Sequence, residues 1–364
     1  MKIGILTHHY VCNYGAFLQA YCLLKTVSRL FPADEVHVIN YVNGKHKLIN
    51  AAGLLRFNPK RDCIASWRQK VSLLFVFRRE SKRYLQLTGQ IFTPAGIKAL
   101  GLDVIIVGSD EVWNYVDKRS FHPVKFGVGL QNAAGKPILV AYAPSVGLTT
   151  DFSHMPGNLV KGLQSFHALS ARDENTRAML HAAACENVTR VLDPVFLFPL
   201  PPADTERMKE LTRKPYVLFY HFGGAINDEL IDAVHKTGCR LIGAGEYHKG
   251  FDEISADITP FEMAALFIKA RYVLTGTFHG VVLACVNGVP FSVLPNNPTR
   301  VLKVEALLRD LGLEDRLVNA KDFCAERELF RPLDYTKTRA LVKQKRAQSL
   351  EYIQKALQKQ FVKN

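Results

Sequence analysis

The chain has 364 residues, 48% hydrophobic and 22% charged, with no uninterrupted apolar run of membrane-spanning length. This composition excludes membrane-spanning, fibrous and disordered classes, and the length corresponds to about two ordinary domains. The seven cysteines form no Cys-x-x-Cys pair, which argues against a disulfide framework and a structural zinc site. The first residues, MKIGILTHHY, are not followed by a cleavage-site pattern, so they predict a first strand rather than a signal peptide. We therefore expect a cytoplasmic protein.

In chain order, strand patterns alternate with helical patterns, as is typical of parallel α/β sheets. KIGILT, GAFLQAYCLLKTVSRLF and EVHVIN form a first βαβ unit. The segments DVIIVGSD, PILVAYAPS, GNLVKGLQSF, HALSARD and VTRVLDPVF continue one doubly wound domain. We predict a Rossmann-like domain over residues 1–198, with a basic helical insert at about 54–100.

The segment PLPPAD is the best linker candidate, because its prolines favour an extended connection. A second α/β series follows it from YVLFYHFGG to PFSVL and predicts another Rossmann-like domain over residues 199–325. Within it, RYVL is a strand, TGTFHG a turn, and VVLACVN a helix that Gly288 ends. A basic amphipathic helix is expected over residues 326–364.

The net charge of +14 is concentrated in two segments. Nine Lys or Arg and two acids lie between Arg56 and Arg83, around WRQKVSLLFVFRR. From Lys337 to the end, eight basic residues accompany one acid, on a helix with a stripe of Leu350, Ile353, Leu357 and Phe361. Two interpretations stay open: a solvated basic face whose stripe packs on the body, or contact with an anionic membrane surface. Nucleic acid is disfavoured, since no zinc-finger spacing or RNP-type sequence occurs.

Small polar residues and glycines follow several of the predicted strands. In parallel α/β sheets ligands bind beyond the carboxyl ends of the strands, and a following helix N-terminus favours anions. The candidates at these positions are Asn13, Tyr14, Gly15, Ser109, Asp110, Arg172, Gly223, Gly224, Thr277, His279 and Gly280. The alternative for the Asn, Ser and Asp residues is helix capping, and for His279 a turn-capping histidine. Arg172 fits capping less well, because a cation near a helix N-terminus opposes the helix dipole.

Six strings in order resemble the polysaccharide pyruvyl transferase family: NYGAFLQAYCL, VGSDEVWN, AYAPSVG, SARDENT, VLDPVFLF and TGTFHGVVLACVNGVPF. The resemblance covers about residues 1 to 320. It implies a GT-B-like fold, in which two Rossmann-like domains face a cleft. It also implies transfer of a pyruvyl group from phosphoenolpyruvate to a sugar diol, as a ketal, with no cofactor or metal. Members often act on surface polysaccharides or their lipid-linked precursors. By this resemblance, the basic segment from Trp67 to Arg83 is expected to contact the membrane.

By resemblance, His279 is the expected catalytic or phosphate-contacting residue, and histidine suits proton transfer with a free pKa of about 6.5. Arg172 is the expected cation on phosphoenolpyruvate, and Asp110, across the cleft, is the candidate that contacts or deprotonates the sugar. The sequence departs from the pattern at Thr277, where characterised transferases tend to have arginine. Arg300 or Lys303 would compensate for that missing cation.

Three hypotheses remain from the sequence. The favoured one is a pyruvyl transferase acting on a surface polysaccharide precursor. The second is a glycosyltransferase with the same fold and a nucleotide sugar as donor. The third is a non-catalytic glycan-binding or partner-binding relative, in which Thr277 marks lost chemistry.

Overall fold

The computed structural model describes residues 1–57, 64–221, 226–244, 250–255, 257–294, 298–318 and 324–358. These residues form two compact units. The first unit comprises the described residues of 1–51, 78–199 and 343–364. The second unit comprises the described residues of 52–77 and 200–342.

The first unit is built on a four-stranded parallel sheet in the order β2-β1-β3-β4. Its strands are β1 (Lys2–Leu6), β2 (Glu35–Val38), β3 (Val104–Val107) and β4 (Ile138–Ala141). A two-stranded parallel pair, β5 (Ser170–Ala171) and β6 (Thr189–Arg190), follows in the chain. All four residues of β3, Val-Ile-Ile-Val, are buried, as expected of a central parallel strand covered on both faces.

The described helices of this part of the chain are α1 (Tyr14–Leu30), α2 (Gly44–Leu55), α3 (Ile64–Tyr84), α4 (Pro94–Lys98), α5 (Gly157–Gln164) and α6 (Glu174–Ala182). Residues 52–77, which include the end of α2 and most of α3, belong to the second unit. Trp113 and Phe126 belong to the buried hydrophobic cluster of this unit, and their stacked rings have centroids 6.1 Å apart. The indole nitrogen of Trp113 donates a hydrogen bond to the Lys125 carbonyl oxygen at 2.8 Å. This bond fixes the backbone of a loop that contributes to the site described below.

The second unit is built on a five-stranded parallel sheet in the order β11-β10-β7-β8-β9. Its strands are β7 (Tyr216–Tyr220), β8 (Arg240–Ala244), β9 (Glu253–Ser255), β10 (Tyr272–Thr275) and β11 (Phe291–Val293). Its helices are α7 (Glu206–Leu211), α8 (Asp228–Lys236), α9 (Pro260–Lys269), α10 (Phe278–Asn287), α11 (Pro298–Leu311) and α12 (Ala325–Glu328). Phe219, Leu241 and Leu274 belong to its own buried cluster.

The last helix, α13 (Thr336–Gln358), packs its far half on the first unit. Ile353 is 3% exposed and Leu357 is fully buried, which confirms the predicted packing stripe at these two positions. The Tyr352 hydroxyl donates to the Ala141 carbonyl oxygen at 2.7 Å, at the end of β4. Phe361, the last residue of the predicted stripe, lies outside the described residues.

The predicted α/β class with two parallel sheets is confirmed. The predicted start of α10 was wrong: this helix begins at Phe278, three residues before the predicted start at Val281. The reason is local, because the Thr277 side chain caps the helix and so brings the next three residues into its first turn. Within the part of the chain that the structure describes, no helix has the length and apolar character needed to cross a bilayer.

Candidate functional site

Hydrogen bonds join the turns that follow β1, β3 and β4 at the carboxyl ends of the strands of the first sheet. The Thr7 hydroxyl donates to the Ser109 carbonyl oxygen at 3.0 Å, and the Ser145 amide donates to the Asp110 carbonyl oxygen at 2.8 Å. The Arg172 amide, after β5, donates to the Pro144 carbonyl oxygen at 3.3 Å. The three predicted site residues Ser109, Asp110 and Arg172 are thereby brought together at the carboxyl ends of parallel strands, where such sheets bind ligands.

Gly108 and Asp110 give the turn after β3 its shape. Gly108 has a φ of 122°, and a Cβ there would lie 2.1 Å from the Tyr142 carbonyl oxygen, so only glycine fits. Asp110 has a φ of 76°, in a region that aspartate tolerates better than most residues. The turn therefore carries the Asp110 carboxylate at the sheet edge with its side chain 19% exposed.

Arg172 lies between two carboxylates. One guanidinium nitrogen, Nη1, donates to Asp193 Oδ2 at 3.0 Å, and Nη2 lies 3.6 Å from Asp110 Oδ1. The side chains of Arg172 and Asp193 are 3% and 0% exposed, so this ion pair is buried. Asp110 is the member of the trio that solvent reaches. The predicted contact of Arg172 with phosphoenolpyruvate stays a prediction.

A buried amine lies in the same unit. Lys125 is 1% exposed, and its Nζ lies 3.0 Å from His8 Nδ1 and 3.3 Å from His8 Nε2. Burial lowers the pKa of Lys125 to about 7, although the charge of Asp110 acts to raise it. His8 is itself buried at 5% exposure.

His8 is part of a cluster of aromatic and imidazole rings that also contains Tyr10 and His46. The His46 ring lies edge-on to His8 with centroids 5.6 Å apart, and the Tyr10 hydroxyl lies 3.1 Å from His46 Nδ1. Burial lowers the pKa of His46 to about 4 and, with the charge of Lys125, lowers the pKa of His8 well below its usual range. Both rings are therefore neutral near pH 7. Sequence reasoning missed this group; its signal in the sequence was that His8 comes two residues after the end of β1.

Four of the predicted site residues, three at the start of α1 and one after β3, cap a helix, are buried or hydrogen-bond the backbone. The Asn13 side chain accepts a hydrogen bond from the Ala16 amide at 3.0 Å and caps α1. Tyr14 and Gly15 are buried in the first turn of that helix. Ser109 is fully buried, and its hydroxyl donates to the Ala143 carbonyl oxygen at 3.1 Å. Their predicted contacts with substrate stay predictions.

In the second unit, Thr277, His279 and Gly280 lie together at the carboxyl end of β10. The Thr277 hydroxyl accepts a hydrogen bond from the Gly280 amide at 2.9 Å, and half-buried His279 lies in the first turn of α10. A Cβ on Gly280 would lie 2.0 Å from Thr275 Oγ1, so glycine lets α10 pack this close to β10. A helix N-terminus of this kind favours anions.

The remaining predicted residues are two glycines after β7 and two basic residues of α11. Gly223 and Gly224 lie outside the described residues, and so does the side chain of Arg300. Lys303 is buried in α11 at 9% exposure. No cluster of three or more His, Cys, Asp or Glu side chains suited to a metal ion occurs among the residues with described positions.

The sequence model of the family described as polysaccharide pyruvyl transferase matches residues 13–298 of the chain. The match takes in the turns that hold Asp110, Arg172 and His279. No curated protein sequence matches the chain at a significant level.

Solved structures resemble the chain in fold at low sequence identity. A putative UDP-N-acetylglucosamine 2-epimerase from Listeria monocytogenes has a TM-score of 0.55 and 13% identity, over 100% of this chain and 97% of that chain. The UDP-GlcNAc 2-epimerase of Neisseria meningitidis, bound to UDP-GlcNAc, has a TM-score of 0.52 and 11% identity, over 99% and 100% of the two chains. The S. aureus MnaA–UDP co-structure has a TM-score of 0.52 and 13% identity, over 98% and 97%. These similarities confirm the predicted GT-B-like fold.

Proposed function

The chain belongs to the polysaccharide pyruvyl transferase family and is a transferase, and from this premise we propose that it moves a pyruvyl group from phosphoenolpyruvate to a sugar diol. The product is a cyclic ketal on a surface polysaccharide or its lipid-linked precursor, and phosphate is released. The observation that carries this proposal is the first turn of α10, where His279 lies at a helix N-terminus beyond a buried parallel strand.

The proposed reaction balances without any co-reactant. The first sugar hydroxyl bonds to C2 of phosphoenolpyruvate while C3 takes up a proton and becomes a methyl group. The bond between C2 and the phosphate oxygen then breaks, and the second hydroxyl bonds to C2. Of the two hydroxyl protons released, one is balanced by the proton on the methyl group and the other by the proton on the departing phosphate. Two groups that exchange protons are therefore needed.

His279 fits the donor end of this reaction. Its position in the first turn of α10 puts an imidazole beside the amides of a helix N-terminus, which favour phosphate. It holds the phosphate or gives it a proton as it leaves. Thr277, where characterised transferases tend to have arginine, supplies a capping oxygen instead of a cation.

Asp110 fits the acceptor end. Its carboxylate is the solvent-accessible member of the trio with Arg172 and Asp193, and carboxylates accept protons from sugar hydroxyls. Arg172 Nη2 lies 3.6 Å from Asp110 Oδ1 and orients this carboxylate. Asp110 accordingly takes a hydroxyl proton from the acceptor.

An anionic membrane surface is the proposed partner of α3. Arg78, Arg79, Lys82 and Arg83 on this helix are exposed, and Phe75 on the same helix is 70% exposed. Lysine and arginine near a bilayer are attracted to anionic headgroups, and an exposed phenylalanine adds apolar contact at the interface. This contact brings the protein to lipid-linked acceptors at the inner face of the membrane.

The test of the donor is binding by phosphoenolpyruvate alone. A ligand that binds only the folded state raises its stability by about 2.7 kcal/mol at a hundredfold excess over Kd, so millimolar phosphoenolpyruvate should raise the melting temperature. Inorganic phosphate and UDP-GlcNAc serve as comparison ligands. A shift with UDP-GlcNAc and none with phosphoenolpyruvate would replace this proposal with a glycosyltransferase.

A further inference from the structure

The end of α2 and the first half of α3 carry large apolar side chains that the protein does not bury. Leu55 and Phe57 are 50% and 44% exposed, and Ile64 on α3 is 65% exposed. All 12 residues of α2 are described, and none of them is buried. A helix of this length normally depends on the packing of an apolar face for its stability. Exposed apolar side chains grouped in this way indicate a partner outside the chain.

Contacts between the two helices hold these side chains in one surface. The Trp67 indole nitrogen donates a hydrogen bond to the Leu55 carbonyl oxygen at 3.0 Å, and the Trp67 and Phe57 rings meet edge-on with centroids 6.2 Å apart. Ile64 lies three positions before Trp67, so the two side chains are neighbours on α3. Phe75, which is 70% exposed, follows Ile64 by eleven positions and therefore lies on the same face of the helix. We call Leu55, Phe57, Ile64, Trp67 and Phe75 the apolar face.

Basic side chains lie among the residues of the apolar face. Arg56 and Arg68 are exposed, and the Lys70 amine donates to the Arg56 carbonyl oxygen at 3.2 Å. Residues 64–77 contain no aspartate or glutamate. The core of a protein–protein interface is depleted in charged residues, whereas at a bilayer surface basic side chains reach the headgroups while their apolar neighbours enter the acyl boundary. The mixture of apolar and basic residues therefore fits an anionic bilayer.

We infer that the apolar face enters an anionic bilayer to the depth of the boundary between headgroups and acyl chains. This inference rests on the membrane contact proposed for α3, and it adds apolar insertion, with residues from the end of α2, to the charge attraction proposed there. A single myristoyl chain holds a protein to a bilayer only marginally, so a few side chains insert only where charge attraction has first brought α3 to the surface. High salt therefore still releases the protein.

The fluorescence of Trp67 tests the insertion directly. The chain has two tryptophans, and the other one, Trp113, is fully buried. Vesicles of phosphatidylglycerol and phosphatidylcholine, added at low salt, should shift the wild-type emission to shorter wavelength, and lipids brominated at the headgroup end of the acyl chain should quench it. Trp67→Phe, in which the remaining indole is buried, should show neither change. Vesicle binding of the wild type without either change would overturn the inference and leave the proposed charge contact intact.

Substitutions that keep the charge test the energetic contribution of the apolar face. Ile64→Ser combined with Phe75→Ser should weaken partitioning into these vesicles about tenfold, since two apolar side chains leave the interface. The matched control, Ile268→Ser with Phe92→Ser, removes the same residue types at 56% and 60% exposure and should leave partitioning unchanged. Equal partitioning of the two double variants contradicts the inference. Circular dichroism checks folding, and if the first variant does not fold, the Trp67 measurements on the wild type decide alone.

Sedimentation velocity without vesicles tests the other occupant of the apolar face, a second copy of the chain. The wild type and the variant with Ile64→Ser and Phe75→Ser should have the same association state at every protein concentration. Self-association that only the wild type shows would assign the apolar face to a second copy and overturn the inference. A wild type that does not bind anionic vesicles at low salt would reject the inference together with the proposed membrane contact. Pyruvyl transfer is tested apart from both, by the stability shift with phosphoenolpyruvate.

Discussion

At the scale of single residues, His279 bears most directly on the chemistry. If it holds the phosphate or transfers a proton, His279→Ala should lower turnover by about 10² to 10⁴. His279 is half-buried at a helix start, so the fold should survive. The measurement is phosphate release from phosphoenolpyruvate, with circular dichroism to check folding.

The matched control is His167→Ala, which removes an exposed histidine from the first unit and should leave turnover unchanged. Full activity in His279→Ala would mean that this histidine only occupies the first turn of α10.

Lys125 also predicts a dependence of stability on pH. Burial lowers its pKa to about 7 in the folded chain, whereas an unfolded lysine has a pKa of about 10.4. Between these values the unfolded chain binds more protons, so the free energy of unfolding rises with pH by up to about 1.4 kcal/mol per unit. This contribution is present above the unfolded pKa and is lost as the pH falls through about 7.

Urea denaturation between pH 6.5 and 9 measures the effect. The stability of the wild type relative to Lys125→Met should increase with pH, and relative to Lys136→Met, which removes an exposed lysine, it should stay constant. Parallel curves for the wild type and Lys125→Met would show that the Lys125 amine titrates as an ordinary lysine.

The sequence predicts which end of the sheet a residue reaches when that residue comes soon after a strand, and the roles expected of Asp110 and Arg172 stay predictions. Asp110 and Arg172 each come one to three residues after a strand, so the rule for parallel sheets brings them to one edge. Lys125 does not directly follow a strand; it lies in a short 3-10 helix, Pro123–Phe126, before β4, and tertiary packing alone brings it to His8. Nor does sequence reveal that Asp193 pairs with Arg172, since 21 positions separate them.

At the scale of elements, α13 depends on its apolar stripe. Leu357 is fully buried, so Leu357→Ala should lower the free energy of unfolding by about 2–5 kcal/mol. Lys355→Ala, two positions earlier with a side chain that is 68% exposed, should change it by less than about 0.5 kcal/mol. Urea denaturation followed by circular dichroism measures both. Equal effects would mean that α13 is not packed through this stripe.

The strands and long helices could be predicted because hydrophobic periodicity reports burial directly. Val-Ile-Ile-Val in β3 and the stripe of α13 are such cases. The start of α10 was misplaced, since the sequence predicted a turn through Gly280, whereas the Thr277 side chain accepts the Gly280 amide and caps the helix three residues earlier. Hydrogen-bond geometry, and not residue type, decided that boundary.

At the scale of the whole molecule, the net charge of +14 predicts attraction to anionic surfaces. The two basic segments contain α3 and α13, and these helices have different surroundings. On α13 the basic residues accompany a stripe that is already buried, whereas α3 presents Phe75 and four exposed basic residues together. We therefore expect the membrane contact to be local to α3.

Sedimentation with anionic vesicles separates a local contact from a general charge effect. Reversal to glutamate at Arg78, Arg79, Lys82 and Arg83 lowers the net charge from +14 to +6, since each change removes two charges. The matched control reverses four exposed residues of α13, Lys337, Arg339, Lys343 and Lys355, and produces the same net charge. The wild type should sediment with the vesicles at low salt and be released by roughly 0.5 M salt, because the attraction is screened within about 10 Å at 0.1 M. The α3 variant should lose binding, and the α13 variant should keep most of it. Equal losses in the two variants would show that net charge, and not the surface of α3, draws the protein to the membrane.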